Sequence, residues 1–331
     1  MQVAQRSTSA VAVSDGSNEG YQTIDRMHFS YGNSAAGAAN ISQSTDAPTT
    51  LGFTKSHKTD VTTVNSTSSG NGVIGLKYSI EGQDLRSSGW NHLSASSYLT
   101  LSFYFKTTKT GNSKLPIMFR TLHGTAYYYV QNVTVTDPTN WNRYTVTIPG
   151  NSNLTINDLN TAGMAIFFSY QTGSDKDTSS EGAWGTTNAY STSESTNYFD
   201  STSNDMFITG IQLEVDHTNS GVATDFEHKC YQEVLYRCYR YYIQRGFESL
   251  LGSKSGAVGF PRVNYPVVMR TSPSTYINYD NTNGAMRNQN DGSKTTGFST
   301  YNHYDYGFAS RGSNGSTNII YSSTYYADAE L

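Results

Sequence analysis

The chain has 331 residues and a formal net charge of -4, and its length predicts about two domains of roughly 100–200 residues each. Charged residues make up 15% and aromatic residues 13%, which disfavours a disordered chain, because disorder combines high net charge with few aromatic residues. The near-neutral charge also argues against nucleic-acid binding, which needs a cationic surface. Abundant Ser, Thr, Asn, Gly and Tyr favour an all-β fold with many turns.

No segment has the pattern of a membrane span or a secretory signal. The most apolar runs, Leu99–Phe105 and Met164–Phe168, have the length of strands, far below the ~20 residues of a spanning helix. The start, Met1–Arg6, lacks the apolar core of a signal peptide. The sequence therefore predicts no membrane insertion and no secretion signal.

Strand patterns dominate the first 215 residues. In Leu99–Lys106, apolar residues recur at every second position and predict a strand with one buried face. Met164–Tyr170 is a short apolar run that predicts a strand covered on both faces. Further strands are predicted at Tyr127–Val135, Trp141–Ile148 and Met206–Val215. Strands of this number and length, separated by turn residues, predict a β-sandwich.

A polar low-complexity segment, Thr172–Asp205, lies between the predicted strands Met164–Tyr170 and Met206–Val215. It is rich in Ser, Thr, Gly and Asn, and it carries Trp184, Tyr190 and Tyr198. Long loops are uncommon in compact domains and are often functional.

One helix is predicted after the strands. Thr224 and Glu227 are spaced as in a capping box, and the helix is expected to end near Gly246. Cys230 and Cys238 would lie about 12 Å apart along it, too far for a disulfide. A lone amphipathic helix buries its apolar stripe either on its own chain or on copies of itself. The stripe comprises Phe226, Cys230, Val234, Cys238 and Tyr242.

Strand patterns return after residue 246. Asn-Gly and Asp-Gly turns at 283–284 and 291–292 separate short β-rich runs, and roughly 85 residues suffice for a small domain. The predicted strands are Val258–Met269, Ser274–Tyr279, Gly297–Phe308 and Asn318–Tyr326.

Three blocks resemble a module of phage tail-fibre and other virion surface proteins. They are Ile208–Val215 (ITGIQLEV), Ala223–Lys229 (ATDFEHK) and Glu233–Tyr242 (EVLYRCYRYY), and weaker similarity extends over nearly the whole chain. In that family a jelly-roll domain leads through such a helix into a terminal β domain. The N-terminal region also resembles carbohydrate-binding modules at the level of the fold.

The resemblance implies an all-β fold with a jelly-roll β-sandwich at 1–217, a linker helix at 218–245 and a small C-terminal β domain at 246–331. It implies a non-catalytic phage structural protein at the virion surface, synthesised in the host cytoplasm. Its function would be that of a fibre or tip module that attaches to host-surface glycan. The implied assembly is a homotrimer around the helix stripe, with tail, fibre-anchor or capsid proteins as partners.

Two other functions remain open. The sequence shows no heptad shaft, so capsid or tail decoration without receptor binding is the first alternative. A glycan depolymerase is the second, and it needs two carboxylates about 5–10 Å apart at a cleft, which no pattern marks. There is no Gly-x-Ser-x-Gly motif and no repeat of fixed period. The sequence therefore predicts that the chain is not an enzyme.

Aromatic residues are the candidates for glycan binding. Tyr and Trp present a rigid apolar face to the C–H face of a sugar ring and keep a polar group at the edge. The same residues pack the interiors of ordinary sandwiches, so both interpretations stay open. The candidates are Trp184, Tyr190 and Tyr198 in the polar segment, and Trp90, Tyr301, Tyr304 and Tyr306 near turns.

The metal-binding pattern is weak. The seven histidines are scattered, and no zinc-binding spacing occurs. A structural calcium ion would need six or more oxygen ligands. Its candidate ligands are Glu81, Asp84, Glu214 and Asp216, and no other cofactor is predicted.

Overall fold

The structure is a computed structural model that describes residues 1–33, 35–66, 70–251, 262–289, 291–311 and 319–331. It divides into a first unit, Met1–Lys229 together with Leu331, and a second unit, Cys230–Glu330. Each unit has its own hydrophobic core. Strands dominate both units, which confirms the prediction of an all-β fold.

The first unit consists of two antiparallel six-stranded sheets. The first sheet contains, in spatial order, β1 (Val11–Ser14), β3 (Ala38–Ser44), β4 (Ser56–Thr63), β12 (Asp205–Asp216), β6 (Tyr98–Thr107) and β9 (Asn142–Pro149). The second sheet contains β11 (Trp184–Gly185), β8 (Tyr128–Val135), β7 (Ser113–Thr121), β10 (Ala162–Thr172), β5 (Val73–Glu81) and β2 (Met27–Gly32). A short helix, α1 (Gly82–Ser87), follows β5, and single 3₁₀ turns lie at Thr49–Leu51 and Ser174–Lys176.

The core lies between the two sheets. The alternating positions of β6, including Phe103 and Phe105, are fully buried, as the period-two pattern predicts. Phe103 meets Phe168 of β10 edge to face, with ring centroids 5.1 Å apart. On β10 the residues of the opposite face, such as Phe167, are buried as well. This strand is therefore covered on both faces, as its continuous apolar run predicts.

Strand β12 bends at a β-bulge between Thr209 and Gln212. Gly210 adopts φ +60° there, and a Cβ at this position would lie within 3 Å of the rings of Phe53 and Tyr104. Glycine is required because the bulge needs a positive φ and because two aromatic rings pack directly on its backbone.

The predicted helix is much shorter than expected. Helix α2 spans Tyr231–Tyr239, whereas residues 218–230 are not helical. Thr224 does not cap a helix, because its N–H donates to Glu214 of β12 at 2.8 Å. Similarly, the N–H of Glu227 donates to the side chain of Gln212 at 2.9 Å. These bonds hold the segment in extended form beside β12, so the capping-box interpretation is wrong.

The apolar stripe of that helix is therefore broken up. Only Val234 and Cys238 of the five predicted positions lie within α2. Phe226 packs on Phe53 of the first unit, with ring centroids 4.8 Å apart. Cys230 directly precedes α2 in extended conformation, and Tyr242 begins the next strand.

The second unit contains a larger and a smaller sheet. In the larger sheet, β21 (Ile319–Asp328) pairs with β13 (Tyr242–Leu251), β15 (Ser274–Tyr279) and β17 (Met286–Asn288), and β16 (Thr282–Asn283) and β18 (Lys294–Thr295) extend it. The smaller sheet consists of β14 (Arg262–Asn264), β20 (Gly307–Arg311) and β19 (Ser299–Tyr304). The predicted strand at 258–269 lies partly outside the described residues, as does Asn318 of the last predicted strand.

None of the helices in the described part of the chain has both the length and the apolar character needed to cross a membrane.

Candidate functional site

The candidate site, which we call the groove, is a depression on the outer face of the second sheet. The polar segment after β10 folds back over part of this face, where Ser169 Oγ donates to the carbonyl of Tyr190 at 2.8 Å. Farther along, Asn132 Nδ2 donates to Thr192 Oγ1 at 2.8 Å. The face beside this cover stays open as a depression of about 270 Å³. Its lining includes Ser30, Lys77, Ser79, Arg120, Phe167 and Tyr190.

The strand register sets the order of side chains across the groove. Lys77 of β5 pairs with His28 of β2 on one side and with Phe167 of β10 on the other. In the neighbouring row, Ala165 of β10 stands between Ser79 and Arg120. Because paired residues of adjacent strands point to the same face, all of these side chains leave the sheet on its outer side. The small side chains of Ser79 and Ala165 therefore leave space between two long cationic ones.

Aromatic rings form one wall and part of the floor. Tyr190 packs edge to face on Phe167, with ring centroids 5.1 Å apart, and lies beside Tyr128 at 6.4 Å. Phe167 and Tyr128 are buried, whereas Tyr190 is only partly covered. Burial raises the pKa of the Tyr190 hydroxyl, and the nearby Arg120 opposes that shift. Tyr190 therefore offers a ring and a neutral hydroxyl at the edge of the groove.

Two cations flank the groove. The Arg120 guanidinium lies over the ring of Tyr128, 5.4 Å from its centroid, and its Nε is buried with no hydrogen-bond partner among the described residues. Burial lowers the pKa of the Lys77 ammonium, and the charge of Arg120 lowers it further. Burial also lowers the pKa of His28, to about 4, with the charge of Lys77 as a second cause. His28 is therefore neutral at pH 7.

Two of the predicted glycan-binding residues are core residues, which corrects the prediction. Tyr198 is fully buried, and its hydroxyl lies 2.9 Å from Ser113 Oγ. Trp90 is 4% exposed, and its indole N–H donates to the carbonyl of Ser97 at 3.1 Å. Neither ring is accessible to a sugar, so both serve packing.

The other two predicted aromatic residues of the polar segment, Trp184 and Tyr190, lie on opposite faces of the second sheet. Trp184 lies on β11 beside Tyr129, with ring centroids 5.4 Å apart, and packs against the core between the sheets. Its indole N–H donates to the carbonyl of Pro149 at 2.7 Å. Tyr190 lies on the outer face, so the three aromatic residues predicted in this segment do not form one patch.

The second unit presents a separate group of exposed tyrosines. Tyr301, Tyr304 and Tyr306 are each about half exposed. The rings of Tyr304 and Tyr306 stack in parallel at 5.0 Å, at the hairpin between β19 and β20. The tyrosine pair, Tyr304 and Tyr306, lies on an open aromatic surface, and all three exposed tyrosines are among the predicted candidates.

The predicted calcium ligands are not brought together. Among the described residues, no group of three or more His, Cys, Asp or Glu side chains is arranged to hold a metal ion. Glu81 and Asp84 lie at the junction of β5 and α1, whereas Glu214 and Asp216 lie on β12 of the other sheet. The Asp216 carboxylate accepts hydrogen bonds from the backbone N–H groups of Thr218, Ser220 and Gly221. These bonds lower the pKa of Asp216, and the bond from Gly221 has the largest effect. This carboxylate therefore stabilises the turn after β12.

Most residues of the groove are not marked by a local sequence pattern. Lys77 and Ser79 alternate with apolar residues along β5, and this pattern could have identified an outward-facing polar row. Arg120 lies near the end of β7, after a run of apolar residues. Their meeting across β10 depends on strand order, which no local pattern reveals.

Neither a protein-family model nor a curated protein matches this sequence. Among solved structures, the enzymatically active domain of tailspike protein 4 of bacteriophage CBA120 is similar over 62% of this chain, with 14% identity and a TM-score of 0.32. The match covers 21% of that tailspike chain, about a fifth of its length.

Carbohydrate-binding modules are also among the similar structures. A family 11 module of Clostridium thermocellum, solved with a β-1,3-1,4-mixed-linked tetrasaccharide, matches over 62% of this chain and 95% of its own, with 13% identity and a TM-score of 0.29. A xylan-binding domain of Paenibacillus barcinonensis matches over 64% of this chain and 97% of its own, with 10% identity and a TM-score of 0.31.

Proposed function

We propose that this chain is a non-catalytic, jelly-roll module that binds glycan in the groove. The observation that carries the proposal is the combination, in one open depression, of the partly covered Tyr190 ring with hydroxyl and cationic side chains. A sugar ring stacks its C–H face on an aromatic ring, while its hydroxyls exchange hydrogen bonds with hydroxyl and cationic side chains. Ser79, Lys77 and Arg120 supply such groups around Tyr190.

The size and lining of the groove support binding without cleavage. Its volume of about 270 Å³ lies just below the roughly 300–1,000 Å³ of drug-sized sites, which suits a short stretch of a glycan chain. Glycoside hydrolysis generally uses two carboxylates. The described residues that line the groove include no Asp or Glu.

The proposal is tested by binding of the full chain to an array of bacterial surface glycans. Tyr190→Ala is expected to lower affinity about 2- to 12-fold, because one aromatic contact contributes about 0.5–1.5 kcal/mol. Tyr190→Phe keeps the ring and should retain most of the binding. The matched control is the double variant Tyr304→Ala/Tyr306→Ala, which removes two rings from the other aromatic surface.

Each outcome is decisive. If the tyrosine pair is required and Tyr190 is not, the binding site lies in the second unit instead of the groove. If no glycan binds, the proposed function is wrong. Release of new reducing ends from a bound polysaccharide would show that the chain is an enzyme.

The biological setting follows from the resemblance of the sequence blocks around β12 and α2. We place the chain at the surface of a phage virion, as a fibre or tip module assembled as a homotrimer on other virion proteins, and without a required cofactor. Antibody labelling of intact particles should locate it at the tail or the capsid, and light scattering of the purified chain should give three times the monomer mass. Labelling on the capsid lattice, together with absence of glycan binding, would favour decoration.

A further inference from the structure

The two cations of the groove, Lys77 and Arg120, differ from other cations of the first unit in their ion pairing. Elsewhere in the first unit, Lys58 pairs with Asp205 at 3.0 Å and Lys109 pairs with Asp200 at 2.6 Å. On the same outer face as the groove, but outside it, Lys114 pairs with Glu194. Among the described residues, no Asp or Glu side chain pairs with Lys77 or Arg120.

This arrangement is unfavourable for the empty protein. Lys77 is only partly exposed and stands near Arg120, so two like charges lose hydration close to each other. The buried Nε of Arg120 also lacks a hydrogen-bond acceptor in the described part of the chain. A buried donor without a partner destabilises the folded chain. A ligand that accepts a hydrogen bond from this group would remove the cost.

We infer that the groove selects glycans that carry an anionic group, which Lys77 and Arg120 bind while Tyr190 stacks on the sugar ring. The guanidinium presents two parallel N–H groups, which match the two oxygens of a carboxylate or a phosphate. Lys77 adds a point charge from the opposite side of Ala165. This inference rests on the proposed glycan-binding function and specifies its ligand class as acidic sugars.

The first test sorts the array by charge. Acidic glycans should bind and neutral ones should not, and binding should weaken as salt is raised from 50 to about 500 mM, because the charges become screened. Lys77→Met and Arg120→Gln should each lower affinity for acidic glycans at least 10-fold. Lys114→Met removes a charge of the same sign from the same face outside the groove, and it should change affinity less than 2-fold. Arg120→Lys keeps the positive charge but loses the two parallel N–H groups of the guanidinium. Its affinity for acidic glycans should lie between that of the parent chain and that of Arg120→Gln.

The second test observes the Arg120 Nε–H signal by nitrogen-15 NMR. Sodium glucuronate and glucose 6-phosphate serve as probes for carboxylate and phosphate, with methyl glucoside as the neutral control and sodium chloride as the control for ionic strength. We expect one or both anionic sugars to shift the signal and the neutral sugar not to do so. The two anions distinguish a uronic acid ligand from a phosphorylated one.

The outcomes separate this inference from the proposed function. Array hits confined to neutral glycans, but sensitive to Tyr190→Ala, would overturn the charge selectivity and leave glycan binding intact. Equal shifts with methyl glucoside and glucuronate would also overturn it, as would an unchanged signal with both anions. Absence of any glycan binding on the array would overturn both.

Discussion

Two places on the outer faces of the first unit differ in how positive charge is paired: Lys106 on the first sheet, and the groove on the second sheet. On the first sheet, Lys106 pairs with Asp46 and lies over the ring of Phe207, 4.9 Å from its centroid. On the second sheet, Lys77 and Arg120 flank an open groove and pair with no Asp or Glu side chain among the described residues. Lys106 is therefore paired within its own chain, whereas the two cations of the groove have no carboxylate partner among the described residues.

The difference shows that the contribution of a surface lysine depends on its neighbours. An ion pair with some burial contributes a modest favourable amount, and a partly buried cation beside another cation costs free energy. A face that is less stable than it could be is a typical property of binding sites. The groove is therefore distinguished by an energetic property as well as by its shape.

The largest expected effect comes from the floor of the groove. A Cβ on Gly75 would overlap the carbonyl oxygen of Phe168 and lie 2.5 Å from Cε1 of Phe167. Because a backbone atom cannot move aside, Gly75→Ala should lower the free energy of unfolding by about 3 kcal/mol, measured by urea denaturation. Gly185→Ala is the control, because nothing lies within 4 Å of its added Cβ. A change below about 0.5 kcal/mol in Gly75→Ala would contradict the packing of Phe167 over β5.

A second effect is expected in acid. Burial, and then the charge of Lys77, lower the pKa of His28 to about 4, below its ordinary value of 6.5. Between these values the unfolded chain binds a proton that the folded chain does not, so stability is full above pH 6.5 and falls as the pH decreases toward 4. The loss is at most about 1.4 kcal/mol per pH unit, or about 2 kcal/mol at pH 5.

Urea denaturation at pH 7 and pH 5 measures this loss, with His28→Gln as the comparison. The variant should lose less stability at pH 5 than the parent chain. Burial lowers the pKa of His57 to about 3, but that residue titrates in both chains and cancels from the difference. Equal acid sensitivity of the two chains would show that His28 is not shielded from protonation.

The smallest effect tests the comparison of the faces directly. Lys106→Met removes an ion pair and a cation–π contact from the first sheet and should destabilise the chain by about 1 kcal/mol. Lys77→Met removes an unpaired cation from the groove and should stabilise the chain without ligand by about 0.5 kcal/mol. Thermal denaturation of both variants at one pH provides the measurement. Destabilisation of similar size in both would mean that the two faces do not differ.

The architecture could be predicted where a local pattern decides the structure. The alternation in β6 and the apolar run of β10 identify their strands and their burial, because each side chain contributes locally to one sheet. The helix was predicted less well, because Thr224 has partners on β12 that compete with capping. Glu214 lies ten residues away, and its hydrogen bonds appear only when the chain folds back.

The site could be predicted only in part. The long polar segment led to Tyr190, since aromatic residues in such loops are candidates for binding. The same reasoning selected Tyr198 and Trp90, because composition does not distinguish an exposed ring from a buried one. Lys77 and Arg120 could not be identified from the sequence. What distinguishes them is which side chains lie beside them, and the strand order of the folded sheet determines those neighbours.

The position of the cysteines has a practical consequence. Cys230 is exposed and is the first residue of the second unit, whereas Cys238 is buried. Thiol reagents react with accessible cysteines, so the native chain should take up a single maleimide label. A spin probe attached there would report the spacing between neighbouring copies by pulsed electron resonance, and one sharp distance would reveal a ring with rotational symmetry without any engineered mutation.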